Sequence, residues 1–506
     1  MTEEPAPDDH DGSALYAAVD LGSNSFRLET ASVRGGRYRR EFYVKETVRL
    51  GAGLDPSGRL TTEATDRALV CLEAFARHLD SVEEHRIRAV ATQTLREAKN
   101  RNEFLKLAQV ALQHPIEVIS GREEARLIFT GVSSMRELSE PTLVIDIGGR
   151  STEMILGQTT EARKVESFAV GSVGMSMAYF PQGVVTEESL KAAATAAAAH
   201  FEEAVDVFAL ESWSQALGTS GTVNAVAQIL KANQISEGPI DRSGLNWLVQ
   251  RCLESGQSDQ LDLPGLREDR KPVLAGGLAV LSALFDQFKL EHLVPTKGSL
   301  RQGVIFELAT RLQAQSARSR ELRDQTVERI QARFGIDLTQ AQRVKALAED
   351  LYFCALGPAD PESLRELRWA CDLHEIGMCI SHHDHHRHSA YILAHAEAAG
   401  FSQSQMRRIA KLVLGQRGGL RKLELDSENA TFIWMTLCLR LAVIFFHARK
   451  SHPGIELRLT RQSKSSATVF VSRASHVFHE TLVYLLEQER DQWARSADFT
   501  LTLKMG

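Results

Sequence analysis

Cysteine is scarce in this sequence and shows no pairing pattern. Cys71, Cys252, Cys354, Cys371, Cys379 and Cys438 are scattered with no C-x-x-C spacing. That excludes a disulfide framework or a zinc site of the usual spacing, and fits reduced thiols in a cytoplasm. Positive charge is not in excess either. A net charge of −6 excludes an overall field that would draw in nucleic acid. Any anionic ligand must then be captured by local basic pockets, although peripheral contact with a membrane stays compatible. Long hydrophobic runs are missing as well. The most apolar stretch, Phe432 to Phe446, is interrupted by Arg440 and falls short of the roughly 20 residues of a membrane span. It predicts a buried helix. The acidic start has no apolar segment of the signal-peptide kind and predicts a disordered tail over residues 1–13.

What is present is ordinary globular composition, 43% hydrophobic and 25% charged, in a chain of 506 residues, long enough for several domains. Leu15–Leu21 is an apolar run, Gly22-Ser23-Asn24-Ser25 a turn and Phe26–Val33 a second strand, which predicts a hairpin. Gly35-Gly36 leads into a third strand, Glu41–Leu50. A helix over Thr62–Leu79, a strand at Ile87–Ala91, a helix around Glu97–Val110 and a strand at Ile116–Ile119 follow, and a further helix begins after Ser120.

The opening then recurs. A-V-D-L-G-S-N-S-F around Asp20 returns as V-I-D-I-G-G-R-S-T around Asp146, 126 residues later. A repeat at domain length predicts two α/β lobes presenting equivalent hairpin turns to a shared cleft. The second lobe runs on through the loop Gly218-Thr219-Ser220-Gly221-Thr222. The expected organisation is lobe I over 14–135, lobe II over 136–312, a helical domain over 313–450 and a small α+β domain over 451–506.

A strand ending in Asp and followed by a Gly/Ser turn offers amides to a phosphate and a carboxylate to Mg²⁺. In Ser120-Gly121-Arg122-Glu123-Glu124, Ser120 and Glu123 form a capping-box pattern. Glu124 has no such duty, and a carboxylate beside phosphate loops can deprotonate an attacking water. Arg49 and Arg96 follow strand ends of lobe I, the edge where α/β folds bind ligands, and phosphoryl transfer needs such cations.

Jointly, A-V-D-L-G-S-N-S-F, T-L-R-E-A-x-N, I-S-G-R-E-E-A-R-L-I-F, V-I-D-I-G-G-R-S-T-E and L-R-Q-G-V resemble the exopolyphosphatase/guanosine-pentaphosphatase family. L-H-E-I-G and H-R-H-S-A-Y-I-L extend the likeness to its long multidomain members. The resemblance implies a duplicated actin-like (ribonuclease-H-like) fold, then an all-helical domain related to HD phosphohydrolases, then a small C-terminal domain. It implies Mg²⁺-dependent, processive removal of terminal phosphate from inorganic polyphosphate, a monovalent activator such as K⁺, and a homodimer. Guanosine pentaphosphate hydrolysis is the alternative within the family, and a non-catalytic polyphosphate or alarmone sensor the alternative outside it. By motif position the base is Glu124, assisted by Arg96. The metal ligands are Asp20, Asp146 and Glu153. Substrate contacts fall on Asn24, Ser25, Arg49, Gly148, Gly149, Arg150, Ser151, Gly221, Thr222, Arg387 and His388.

Two departures stand out. Arg150 replaces the family's usual third glycine, a position expected to need a left-handed backbone or close approach. His374-Glu375 stands where a metal-dependent HD enzyme has His-Asp, which implies a lost metal. The histidines at 382, 383, 385, 386 and 388 fit an anion-facing or solvated loop.

Overall fold

The computed structural model describes residues 14–34, 36–317, 321–357, 360–425, 429–450, 454–473, 480–496 and 499–505. The expected tail over 1–13 lies outside them. Two compact units divide between residues 319 and 320.

The first unit contains two sheets. One joins β1 (Leu15–Leu21), β2 (Phe26–Arg34), β3 (Arg37–Glu46), β4 (Ile87–Ala91) and β5 (Ile116–Val118) in the order β3-β2-β1-β4-β5. The other joins β6 (Thr142–Ile147), β7 (Thr152–Gln158), β8 (Glu161–Phe168), β9 (Gln215–Thr219), β10 (Ile240–Asp241) and β11 (His292–Pro295) in the order β10-β11-β9-β6-β7-β8. In each, a first strand pairs antiparallel with its hairpin partner and parallel with the next strand on its other side. This is the duplicated α/β arrangement that the repeat predicts.

Strand period places the two repeated aspartates. Along β1, Ala17, Val19 and Leu21 enter a core with the helices Thr62–Leu79 and Arg101–Leu112, while Tyr16 and Ala18 face the other way. Along β6, Leu143, Ile145 and Ile147 enter the core of the second lobe, and Val144 turns to the opposite face. Tyr16, Ala18 and Val144 share one central core with Ile128 and Val304, from the helices Gly121–Met135 and Leu300–Ala317. Side chains two apart on a strand share a face, so Asp20 and Asp146 both sit on this central side.

Three local expectations change. The helix around Glu97–Val110 is two helices, Gln93–Glu97 and Arg101–Leu112. The break is held by Asn100, whose amide side chain bonds both the N–H and the carbonyl of Leu60. The third strand stops at Glu46, short of Leu50, and Arg49 turns with φ 54°. Ser220 to Thr222 is the start of the helix Ser220–Ala232 rather than a loop. Helix Leu300–Ala317 also runs unbroken through the boundary expected at 312, with Val304, Ile305, Leu308 and Ala309 in the central core.

The second unit packs the helices Leu322–Phe334, Leu338–Leu356, Pro361–Leu373, His385–His395, Gln403–Gly415, Ala430–Phe445 and Glu480–Ser496 with β12 (Ile455–Ser463), β13 (Ser466–Arg473) and β14 (Thr500–Met505). One core joins Val344, Trp369, Leu412 and Trp434 to Val469 and Leu486, so it continues across the boundary expected at 450. Among the described residues no helix is long and apolar enough to cross a membrane.

Candidate active site

Between the hairpin turns lies a small cavity of about 70 Å³ lined by Asp20, Asn24, Ser25, Glu124, Asp146, Gly148, Gly149, Ser151, Gly221 and Thr222, together with Arg27, Arg270 and Arg301. The carboxylates arrive by three local routes. Asp20 and Asp146 are the next-to-last residues of β1 and β6. Glu153 stands directly opposite Asp146 on β7. Glu124 lies in the first turn of helix Gly121–Met135, whose N-cap Ser120 accepts the Glu123 N–H at 3.1 Å. The turns nearly touch: a Cβ on Gly149 would stand 3.2 Å from Ser23 Cβ. The Ser25 hydroxyl is buried on the cavity wall without a partner, an unmet donor of the kind a ligand satisfies.

The repeat diverges in its charges. On β1 and β2, Asp20 faces Arg27, which donates to it at 3.1 Å. The offset that carries Asp20 onto Asp146 carries Arg27 onto Glu153, so the second hairpin sets two carboxylates opposite each other. Asp20 also receives Arg301 at 3.4 Å. Asp146 accepts the Ser220 hydroxyl at 2.6 Å, and Ser220 is held at φ 70° at its helix start.

The Ppx/GppA phosphatase family pattern matches residues 38–312, and the pattern of domain III of these phosphatases matches residues 322–490. The chain belongs to the Ppx/GppA phosphatase family. An exopolyphosphatase-like protein of known structure is 27% identical, covering 60% of this chain and all of its own, with a TM-score of 0.55. The exopolyphosphatase from Cytophaga hutchinsonii ATCC 33406 is 23% identical over 58% of this chain and 97% of its own, with a TM-score of 0.53. This Ppx/GppA member is accordingly a hydrolase of phosphoanhydride bonds.

Burial pushes Glu124 up to about 7, with Asp146 and Asp20 adding to the rise and the Arg96 guanidinium, 2.8 Å away, opposing it. Burial likewise raises Asp146 to about 6, against the Ser220 hydrogen bond. Glu153 rises well above the carboxylate range through burial, then through Glu124 and Asp146. Groups that hold protons more tightly folded than unfolded make stability fall with pH between the two pKa values. Without divalent ions, the Tm is expected to fall as pH rises from about 4 through about 7, as read by calorimetry in EDTA. A rising Tm across that window would contradict the charge crowding.

The remaining predicted residues sit elsewhere. Arg96 lies behind Glu124, held by Gln93 and by the Ile119 carbonyl. Arg49 is exposed, and its contribution is a backbone bond from its N–H to the Asn24 carbonyl at 2.9 Å. Arg150 does not have the left-handed backbone expected for a glycine position, and its guanidinium bonds Glu97 and the Gly51 carbonyl. The turn accepts a side chain here without a positive φ. Arg387 and His388 belong to helix His385–His395 of the other unit, with Arg387 exposed and 3.9 Å from Asp384. Beside them, His385 Nε2 stands 3.3 Å from Arg417 Nη1.

Sequence reasoning missed Arg27, Arg270 and Arg301. Arg27 was accessible through the repeat offset, and Arg301 lies inside the L-R-Q-G-V string. Arg270 had no local signal. It stacks over Gly221, where a Cβ would come within 2.4 Å of its Nη2, so only glycine lets it approach.

Proposed function

We propose that the chain is an exopolyphosphatase that hydrolyses the terminal phosphoanhydride of inorganic polyphosphate. The supporting observation is a pair of adjoining cavities with opposite character. The small one holds the carboxylates. The other, about 620 Å³, is lined by Arg27, Arg40, Lys45, Arg267, Arg270, Lys297 and Arg301, with no carboxylate in its lining. Both share Arg27, Arg270 and Arg301. A terminal phosphoryl group fits the first while the anionic remainder of the chain lies in the second.

In this reading Glu124 takes a proton from water, whose oxygen forms the new P–O bond while the bridging P–O bond breaks and the shortened chain leaves with the electron pair. Arg27, Arg270 and Arg301 hold the charge on the phosphoryl oxygens, and Arg96 fixes the Glu124 carboxylate. Mg²⁺ suits the donor set. Among the described residues no three carboxylate, imidazole or thiol side chains are placed to hold one ion together. An ion that takes one or two carboxylates and completes its shell with water and phosphate oxygens matches that arrangement. Asp146 and Glu153 would hold it, since Asp20 is already committed to Arg27 and Arg301. When bound, such an ion neutralises phosphoryl charge.

Guanosine pentaphosphate is the second reading, favoured by Tyr38 and Tyr43 in the larger cavity, where Arg301 lies 5.4 Å from the Tyr43 ring centre. Arg150 turns to Glu97 and so leaves the small cavity open, which speaks against the sensor reading. Phosphate release from long-chain polyphosphate and from the nucleotide, each with Mg²⁺ and with EDTA, is the test. Fast Mg²⁺-dependent release from polyphosphate is expected. Release from the nucleotide alone would favour the second reading, and release from neither would overturn both.

A further inference from the structure

Arg150 stands in the turn between β6 and β7, yet all of its polar contacts lie in the other lobe of the first unit. Its Nε and Nη2 reach Glu97 Oε2 at 3.0 and 2.9 Å, and Nη1 donates to the Gly51 carbonyl at 3.3 Å. Gly51 follows β3, and Glu97 ends the helix Gln93–Glu97. The stem is seated as well as the head, because a Cβ on Gly51 would come 2.8 Å from Arg150 Cδ. On its other side a Cβ on Gly171 would meet the Arg150 amide nitrogen at 2.7 Å. Glu97 itself is exposed, so it is the seating of the Arg150 stem, not burial of the pair, that sets this contact apart from a free surface bridge.

The contact continues inward without a gap. Glu97 uses its second oxygen to accept Gln93 Nε2 at 2.6 Å. Gln93 Oε1 accepts Arg96 Nε and Nη2 at 2.9 and 2.6 Å. Arg96 spends its last nitrogen on Glu124 at 2.8 Å. Every member uses different atoms for its outer and inner neighbours, so none has to release one to hold the other.

We propose that Arg150 is a positioning residue that latches lobe II to lobe I and, through Glu97 and Gln93, sets the seat of Arg96 against Glu124. The kinetic half rests on the exopolyphosphatase reading; the latch itself does not. A displacement of about 1 Å at a reacting group can cost about 10²-fold in rate, and a latch three contacts away from the base should cost less, about tenfold.

The test compares wild type with Arg150→Gly, Arg150→Lys, Glu97→Gln and the Arg150→Gly/Glu97→Gln double variant. Steady-state kinetics on polyphosphate is one readout, and amide hydrogen exchange at Gly51, whose N–H bonds the Ser23 carbonyl at 2.7 Å, is the other. Arg150→Gly and Glu97→Gln should each lower kcat about tenfold with KM nearly unchanged, and the double variant should be no worse than either. Arg150→Lys should recover part of the loss, since an ammonium reaches Glu97 but cannot also serve the Gly51 carbonyl. Exchange at Gly51 should accelerate in Arg150→Gly. A raised KM at unchanged kcat would make Arg150 a phosphate contact and overturn the proposal, as would additive losses in the double variant. If wild type releases no phosphate from polyphosphate, the functional reading fails, and exchange alone decides: faster exchange supports the latch and unchanged exchange removes it.

Discussion

Glu124→Gln is expected to lower kcat on polyphosphate by about 10²–10⁴-fold, the range for loss of a general base, while the Kd for polyphosphate changes little. The carboxylate is buried, lines the small cavity and is fixed by Arg96. Gln keeps its shape and loses its basicity. A polyanion gains nothing from a carboxylate in the ground state, so binding should survive. Because the base must be deprotonated, the wild-type rate should rise with pH through about 7, and that limb should vanish in the variant's residual activity. The neighbouring carboxylate supplies the control. Glu123 is buried and ion-paired with Arg126 at 2.7 Å, and only its N–H, not its side chain, serves the Ser120 cap. Glu123→Gln should cost about 1–3 kcal/mol of stability through weakened charged hydrogen bonds and spare turnover. Calorimetry with single-turnover kinetics separates the two. Exchanged phenotypes would remove Glu124 from the role.

Much of this site was legible because strand chemistry is local. An apolar run, an Asp and a Gly/Ser turn define a hairpin within ten residues, and the copy at a fixed offset implied that two such turns face each other. Asp20, Asn24, Ser25, Asp146, Gly148, Gly149 and Ser151 duly meet around one cavity with Glu124. What could not be read was which arginine reaches it. Arg150 lies within a turn and Arg49 follows the expected third strand, yet Arg49 is exposed and Arg150 is taken by Glu97. Arg270 and Arg301 come from residues far along the chain, and only tertiary packing carries them in. The limit between the two units was legible only to within one helix, falling between residues 319 and 320 and not at 312. Helix Leu300–Ala317 is written like its neighbours, but its apolar side completes a core begun at Tyr16.

The second unit carries the other large effect. Glu489→Ala is expected to destabilise it by about 3–5 kcal/mol, the cost of leaving a buried charge without its partner. Arg440, the residue that interrupts the apolar run of helix Ala430–Phe445, is 3% exposed and so is Glu489. Arg440 Nη2 donates to Glu489 at 2.6 Å and Nη1 to the Gly415 carbonyl at 2.6 Å, and Glu489 also accepts Trp493 Nε1 at 2.7 Å. The alanine strands a guanidinium and an indole N–H in a site that water does not reach. Substituting both members, Arg440→Met with Glu489→Leu, removes the stranded charge but leaves the Gly415 carbonyl and the Trp493 N–H unpaired. Both variants strand the Trp493 N–H, so they differ by an unpaired Gly415 carbonyl, about 1–3 kcal/mol, against an unpaired buried guanidinium, and the double variant should fall between wild type and Glu489→Ala. Urea unfolding of the full chain, followed by hydrogen exchange within helix Ala430–Phe445, reports on this unit. A loss below about 1 kcal/mol for Glu489→Ala would mean that the pair is wet enough to behave as a surface bridge. The interruption in the apolar run would then owe nothing to a buried partner.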